Sequence, residues 1–278
     1  MNIGKVTKRL ESIRITGDFT YLKMTSILQA NQKSLKEFQF QTYSFTESDA
    51  IILFQSDHLE SLCISLHCPV ISNQIFYMIS LLNHLRSLHL QVNLLECKHI
   101  NLEDLANILC HPNLTKLESL RLSYKAKKNQ NNKILTAIAS LKHLKELYFN
   151  PEFYFYPAFG IGQKGNSYQG LFMILHGCSQ LEKIVLHFNI KFQNDKFKNI
   201  FTMDLPSLKV LGMQHDDYVG LDQNYIVECM NHSKSLKLVG LDTILFYRQK
   251  SPSTSIKKFT QFDTLKINSI HDILNFQL

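Results

Sequence analysis

A six-residue leucine pattern that recurs along the whole chain constrains the fold more than any other feature of the sequence. The pattern is apolar-x-x-apolar-x-apolar, and successive copies begin 24 to 37 residues apart. The ten copies begin at Leu10, Leu35, Leu59, Leu85, Leu117, Leu144, Leu181, Leu208, Leu236 and Phe262. A single copy would mean little, whereas ten copies in one register indicate a repeat architecture.

Each repeat unit combines a strand with a helix. The last two apolar residues of a hexad, such as Leu88 and Leu90, alternate with polar residues, which is typical of a strand with one buried face. Apolar residues at helical spacing follow several hexads, for example Ile75, Phe76, Met78, Ile79 and Leu82, then Leu102, Leu105, Ile108 and Leu109, then Ile134, Leu135, Ile138 and Leu141. Because a crossover helix joins strands this closely spaced in the chain, the strands are predicted to be parallel neighbours.

The repeats predict one continuous domain over residues 1–278. No single unit can bury its apolar face alone, so the core must run along the whole stack. The two ends of such a stack need a cap. We expect a short terminal helix to cover the last unit through Ile270, Ile273, Leu274 and Phe276.

The repeats resemble those of the leucine-rich repeat family over essentially the whole chain. The resemblance implies an α/β solenoid, shaped like a horseshoe, with a parallel concave β-sheet and convex helices. In this family an asparagine often follows the first leucine by eight residues, and its side chain satisfies backbone groups of the turn. Asn93 and Asn189 match this position, Asp18 and Asp216 are stand-ins, and Lys125, Glu152 and Ile244 depart from it.

Some units are also similar to the cysteine-containing repeats of F-box-type ubiquitin-ligase receptors. The segment GCSQLEKIVLHFN, which begins at Gly177, is the nearest match, and Cys110 and Cys229 both precede a repeat start by seven residues. We interpret these thiols as small buried packing residues. The similarity implies an alternative function as a substrate-receptor-like component of a ubiquitin ligase. An F-box before the repeats would favour it, but only nine residues precede Leu10.

The charge balance is mildly basic. The chain has 30 Lys and Arg against 23 Asp and Glu, a net charge of +7. This surplus permits an acidic partner but does not require nucleic acid. The cations concentrate in residues 121–133 and 248–258, which hold five and four of them and no acidic residue. We interpret both stretches as solvated loops, and they leave open an RNA-contacting accessory role through phosphate contacts.

The sequence favours an intracellular protein, either cytoplasmic or nuclear. The start, MNIGKVTKRLESIRI, lacks the apolar run of a secretory signal, and no run is long enough for a membrane span. The six cysteines are therefore expected to be reduced. No CxxC occurs, and Cys63 with Cys68 makes a poor zinc half-site, so we expect neither a metal nor a cofactor.

Recognisable catalytic motifs are absent from the sequence. It contains no GxSxG, HExxH or P-loop lysine motif. The 12 histidines are scattered, and the sequence leaves open whether folding places one of them beside a cysteine or an aspartate. We therefore predict a non-enzymatic protein–protein interaction scaffold without catalytic residues, with a permanent subunit of a larger assembly as one form of that role. The sequence leaves the oligomeric state open.

Two regions are candidate protein-binding sites. The first is the middle column of the predicted concave face, whose candidate contacts are Arg14, His89, Arg121 and Tyr148. The second is the over-length unit that begins at Leu144, where residues 151–170 are expected to leave the regular repeat path. It contains the aromatic residues Phe153, Tyr154, Phe155, Tyr156 and Phe159. Exposed aromatic rings are typical interface anchors, and the alternative is that these rings pack back over the solenoid.

Overall fold

Strands and helices alternate along the chain. The structure, a computed structural model, describes residues 9–16, 24–41, 47–66, 74–95, 101–126, 131–153, 166–187, 205–214, 230–231, 233, 235–241, 244–248 and 256–259. The strands in these ranges are β1 Ser12–Thr16, β2 Glu37–Gln41, β3 Ser61–Leu66, β4 Ser87–Asn93, β5 Ser119–Ala126, β6 Glu146–Phe153, β7 Lys183–His187, β8 Val210–Gln214, β9 Leu238–Leu241, β10 Ile244–Arg248 and β11 Ile256–Phe259. The helices there are α1 Met24–Asn31, α2 Glu47–Phe54, α3 Gln74–Ser80, α4 Leu102–Leu109, α5 Asn131–Ala139 and α6 Asn166–Gly177.

The described strands form one sheet in chain order, from β1 to β11. Strands β1 to β9 are parallel, as the hexads predict. The predicted register is confirmed as well, because equivalent hexad positions are paired: Leu88 lies opposite Leu120, and Leu120 lies opposite Leu147. The α/β architecture with a parallel sheet is therefore confirmed for the part of the chain that the structure describes.

The parallel series gives way to a hairpin after β9. Strand β10 pairs antiparallel with β9, and β11 pairs antiparallel with β10. The expectation of a tenth parallel strand beside β9 is therefore wrong. The reason is the length of the connection: Leu241 and Ile244 pair with each other, and two intervening residues allow only a hairpin. The tenth hexad, which begins at Phe262, and the predicted terminal cap lie outside the described residues.

The core lies between the sheet and the helices. Each helix joins two parallel neighbours in chain order, so the crossovers place the helices on the same face of the sheet. The apolar residues predicted for the helices after β3, β4 and β5 are buried apart from Met78, which is half-buried. One contiguous cluster runs from Ile13 in β1 to Val239 in β9. This continuous core is what a stack of mutually dependent units requires.

An asparagine side chain closes the turn after β4. Asn93 is buried at the end of β4, and its Oδ1 accepts a hydrogen bond of 3.2 Å from the Leu95 backbone N–H, as expected for that position. Lys125 and Glu152, which depart from the asparagine rule, lie within longer strands and pair with each other. Strands β5 and β6 pair with each other as far as Ala126 and Phe153.

The over-length unit follows the repeat path further than expected. Pro151 pairs with Tyr124 and Phe153 pairs with Ala126, so residues 151–153 belong to β6. Residues 166–170 belong to α6. The expectation that the whole of 151–170 leaves the path is therefore wrong at both ends, because backbone pairing extends the strand to Phe153 and α6 begins at Asn166. The aromatic candidates Tyr154, Phe155, Tyr156 and Phe159 lie outside the described residues.

Candidate functional site

The sheet surface opposite the helices is the first candidate site, and we call it the open face. Its middle column is aligned across nine parallel strands of the described sheet. The column consists of Arg14, Gln39, Cys63, His89, Arg121, Tyr148, Val185, Gly212 and Gly240. The structure therefore brings the predicted contacts Arg14, His89, Arg121 and Tyr148 into one line.

Exposure divides this column into an exposed half, from Arg14 to Arg121, and a buried half, from Tyr148 to Gly240. Arg14 is exposed and His89 and Arg121 are half-exposed, whereas Tyr148 is only 4% exposed and Val185 is 0% exposed. The expected exposure of Tyr148 is therefore not found. The neighbouring positions on this face of β8 and β9 are nonpolar and buried as well, namely Val210, Gly212, Leu238 and Gly240, whereas Lys183 at the start of β7 is half-exposed. The nonpolar residues at these positions were the sequence signal for this change.

A cysteine and a histidine meet on the exposed half of the open face. Cys63 Sγ lies 3.1 Å from His89 Nδ1, across β3 and β4, and both side chains are half-exposed. In the next column Ser65 Oγ donates to Gln91 Oε1 at 3.2 Å. The sequence left open whether folding pairs a histidine with a cysteine. The available signal was that both residues occupy the same position in successive hexads.

A ladder of alternating charge borders the sheet where the strands begin, and sequence reasoning missed it. The residue after the first hexad leucine alternates in sign from Glu11 to Lys209. These residues are Glu11, Lys36, Glu60, Arg86, Glu118, Lys145, Glu182 and Lys209. Ion pairs join Lys36 to Glu11 at 3.0 Å, Arg86 to Glu118 at 2.5 Å, Lys145 to Glu118 at 2.7 Å and Lys209 to Glu182 at 2.5 Å. The fixed position of these charges in the hexad was a readable signal.

A groove of about 250 Å³ lies over the middle of this ladder. Its lining consists of Asn83, His84, Arg86, Lys116, Glu118, His143, Lys145 and Gln180. Hydrogen bonds from Lys145 and Arg86 to the Glu118 carboxylate lower the pKa of that carboxyl below its ordinary value. The lining holds three cations, Arg86, Lys116 and Lys145, against the single carboxylate of Glu118, so the groove is mildly basic.

We expect Glu118→Gln to lower the free energy of unfolding at pH 7 by less than about 1 kcal/mol, since surface pairs contribute little. The folded carboxyl has a pKa below 4.5, so its contribution is present above that value and is lost as the pH falls through the folded pKa. Urea unfolding should therefore show that the difference in stability between the wild type and the variant shrinks as the pH is lowered below 4.5. Glu103→Gln, which breaks the exposed pair with Lys133, is the matched control and should cost less. A difference that does not shrink as the pH falls would contradict the assignment.

The basic stretches are more ordered than expected. Arg121 and Lys125 lie in β5, and Lys133 lies in α5, where it contacts Glu103 at 2.7 Å. Lys257 and Lys258 lie in β11. The interpretation of both stretches as loops is therefore wrong for Lys125, Lys133, Lys257 and Lys258, because strand pairing and helix formation include them, whereas Arg121 lies on a strand as its place in the middle column predicts. The rest of the cations in these stretches, apart from Arg248 at the end of β10, lie outside the described residues.

The three described thiols occupy three different environments. Cys178 is buried and donates to the Ile138 carbonyl at 3.3 Å, and burial raises the pKa of its thiol to about 12. Cys110 is exposed, so its expected burial is wrong. It is the residue after the end of α4, and the chain turns there into the 3-10 helix Pro112–Lys116 instead of packing inward. Cys63 is half-exposed beside His89, and Cys229 lies outside the described residues.

Comparisons with known proteins add no family assignment. A scan against protein-family models found no match, and a search of curated proteins found no similar sequence. In the described ranges, no three His, Cys, Asp or Glu side chains converge as metal ligands. No helix of those ranges has the length and apolarity to cross a membrane. The structure defines the chain as an α/β protein with a stacked parallel sheet, and its function must be argued from its surfaces.

Proposed function

We propose that the chain is a leucine-rich repeat solenoid that acts as a non-enzymatic scaffold for binding another protein. The observation that supports this role best is the exposed half of the open face. There Arg14, Gln39, Cys63, His89 and Arg121 form one polar column across five adjacent strands. Parallel pairing holds the strands about 4.8 Å apart, so the column presents its side chains at fixed spacing to a partner.

The two arginines at the ends of this column give the face its chemical character. Arg14 and Arg121 are four strands apart, which corresponds to about 19 Å. Arginine is enriched at interfaces because its guanidinium group donates several hydrogen bonds and pairs well with carboxylates. Between the arginines lie the hydrogen-bonding side chains of Gln39, Cys63 and His89. The face therefore suits a polar protein surface with acidic groups near both ends of the column.

The proposal rests on the described part of the two candidate regions. Phe153 ends β6, and the other aromatic candidates lie outside the described residues, so they add no support. The buried Tyr148 is not available to a partner without rearrangement. The binding face is therefore assigned to β1 through β5, and its proposed contacts are Arg14, His89 and Arg121.

We expect the double variant Arg14→Glu with Arg121→Glu to reduce recovery of the native partner at least tenfold, because each reversal places a carboxylate opposite an acidic group. Recovery is measured by affinity purification from the native cell with quantitative mass spectrometry. The matched control is Lys33→Glu with Lys116→Glu, which makes the same change in net charge at an exposed turn and at the exposed end of a 3-10 helix, both away from the column. Thermal melting of both double variants should stay close to that of the wild type.

Two results would overturn this assignment. Full recovery of the partner by the Arg14 and Arg121 double variant would exclude the open face as the binding surface. An equal loss of partner recovery in both double variants would show that binding depends on the net charge of the chain and not on the open face. Loss of the partner after nuclease treatment of the lysate would instead support the RNA-contacting alternative. Recovery of ubiquitin-ligase subunits would support the substrate-receptor alternative, which no described element of the chain favours.

A further inference from the structure

We propose that Cys63 is a reactive thiol, activated by His89, that forms mixed disulfides with small-molecule disulfides of the glutathione type. The site lies on the open face. The proposal does not depend on the scaffold function, because it concerns the chemistry of one side-chain pair. It would make the middle of the open face a place where the chain is covalently modified.

The geometry places a base in contact with a nucleophile. His89 Nδ1 lies 3.1 Å from Cys63 Sγ, well within hydrogen-bonding distance for sulfur. In this contact the imidazole can take the thiol proton and hold the thiolate beside it as an ion pair. The two residues are direct partners in the β3–β4 register, so the sheet itself fixes their separation.

The site is also open to a reagent. Cys63 and His89 are both half-exposed, so a small disulfide can approach the sulfur from solvent. A buried thiol would lack this access however well it was paired. Exposure and an adjacent base together are the features that distinguish reactive cysteines from structural ones.

The charged groups around the pair are few. On the same face, the register places Arg121 beside His89 and Glu37 diagonally beside Cys63. Arg121 favours a thiolate, and Glu37 opposes it but accepts a hydrogen bond of 3.1 Å from Ser12 Oγ. The other described neighbours in the adjoining columns are neutral and polar, namely Gln39, Ser61, Ser65, Ser87 and Gln91. His89 contacts the sulfur directly, at 3.1 Å from Nδ1 to Sγ.

The reaction balances without any further reagent. The Cys63 thiolate attacks one sulfur of the small disulfide, and a new S–S bond forms as the original S–S bond breaks. Cys63 is oxidised to the mixed disulfide, and the other half of the reagent leaves as a thiolate and is thereby reduced. The proton that His89 took from Cys63 is then available to that leaving thiolate. Reduction by an excess of free thiol reverses the modification.

Two other thiols of the same chain serve as internal references. Cys110 is exposed but has no comparable base, because the neighbouring His111 uses Nδ1 to accept the Asn113 backbone N–H. Cys178 is buried and donates to the Ile138 carbonyl. If exposure alone controls reactivity, Cys110 should react first. If pairing with histidine controls it, Cys63 should.

The test treats the full chain with oxidised glutathione at pH 6.5 and measures modification of each cysteine by peptide mass spectrometry. At this pH an ordinary thiol is only about 1% thiolate. We expect Cys63 to react on the order of tenfold faster than Cys110, with Cys178 unmodified. His89→Gln should lower the rate at Cys63 about tenfold and leave the rate at Cys110 unchanged.

The wild-type comparison needs no variant, so the proposal stays testable even if His89→Gln disturbs the sheet. Equal or slower modification of Cys63 relative to Cys110 in the wild type would overturn it. An unchanged Cys63 rate in a folded His89→Gln protein would also overturn it, because the base would then have no role. Arg121→Gln, which keeps the Cys63–His89 pair, is the matched variant and should change the rate at Cys63 less than His89→Gln does.

Discussion

Leu120→Asp should destabilise the chain by more than about 4 kcal/mol, enough to unfold much of the stack. Leu120 is 0% exposed in β5 and lies between Leu88 and Leu147 in the sheet register. A carboxylate at this position would have neither water nor a partner, and burying an unpaired charge is among the most costly single changes. Urea unfolding followed by circular dichroism measures the loss.

The matched control for this variant is Arg121→Asp, one residue along the same strand. It introduces the same side chain on the opposite face, where Arg121 is half-exposed, so we expect a change of about 0.5 kcal/mol or less. Leu120→Ala should fall between the two, at about 2 to 5 kcal/mol. If Leu120→Asp unfolds at the same urea concentration as the wild type, the assigned register is wrong.

Gly177→Ala should also be strongly destabilising, by about 3 kcal/mol, although alanine is the better helix former. Gly177 ends α6, and a Cβ atom added there would overlap the backbone carbonyl of Ala139, the last residue of α5. A backbone atom cannot rotate away, so the two helices would have to move apart. Helix propensity and steric overlap therefore predict opposite signs, which makes the experiment decisive.

A second measurement shows which part of the structure the Gly177→Ala substitution destabilises. Separation of α5 and α6 would weaken the hydrogen bond from Cys178 Sγ to the Ile138 carbonyl and expose that thiol. Cys178 should then become reactive towards alkylating agents in Gly177→Ala but not in the wild type. Ser179→Ala, at an exposed position two residues later, is the matched control and should change neither property. A variant of Gly177 that is as stable as the wild type would show that the helices are not in close contact here.

The repeated hexad was enough to predict the architecture. Its period placed strands β1 to β9 in one register and predicted the buried leucines, because equivalent apolar positions of successive units lie side by side in the sheet. The helix-side apolar residues followed from their own 3.6-residue spacing. The same hexad contained the alternating charges, although their pairing was not anticipated.

The antiparallel hairpin after β9 was not anticipated. The two-residue connection between β9 and β10 reverses the chain direction, but it leaves no mark in the spacing of the leucine hexads. The two halves of the open face also depended on the tertiary structure, since Tyr148 occupies a strand position equivalent to that of Arg121 and yet is buried. The contact between Cys63 and His89 depended on it too. A repeating sequence determines which positions share a face of the sheet. The alternation of side chains within each strand and the constant length of the repeat are enough to align equivalent positions. Which side chains on that face touch, and which are covered, depends on the particular residues of neighbouring units, and only the folded chain brings those together.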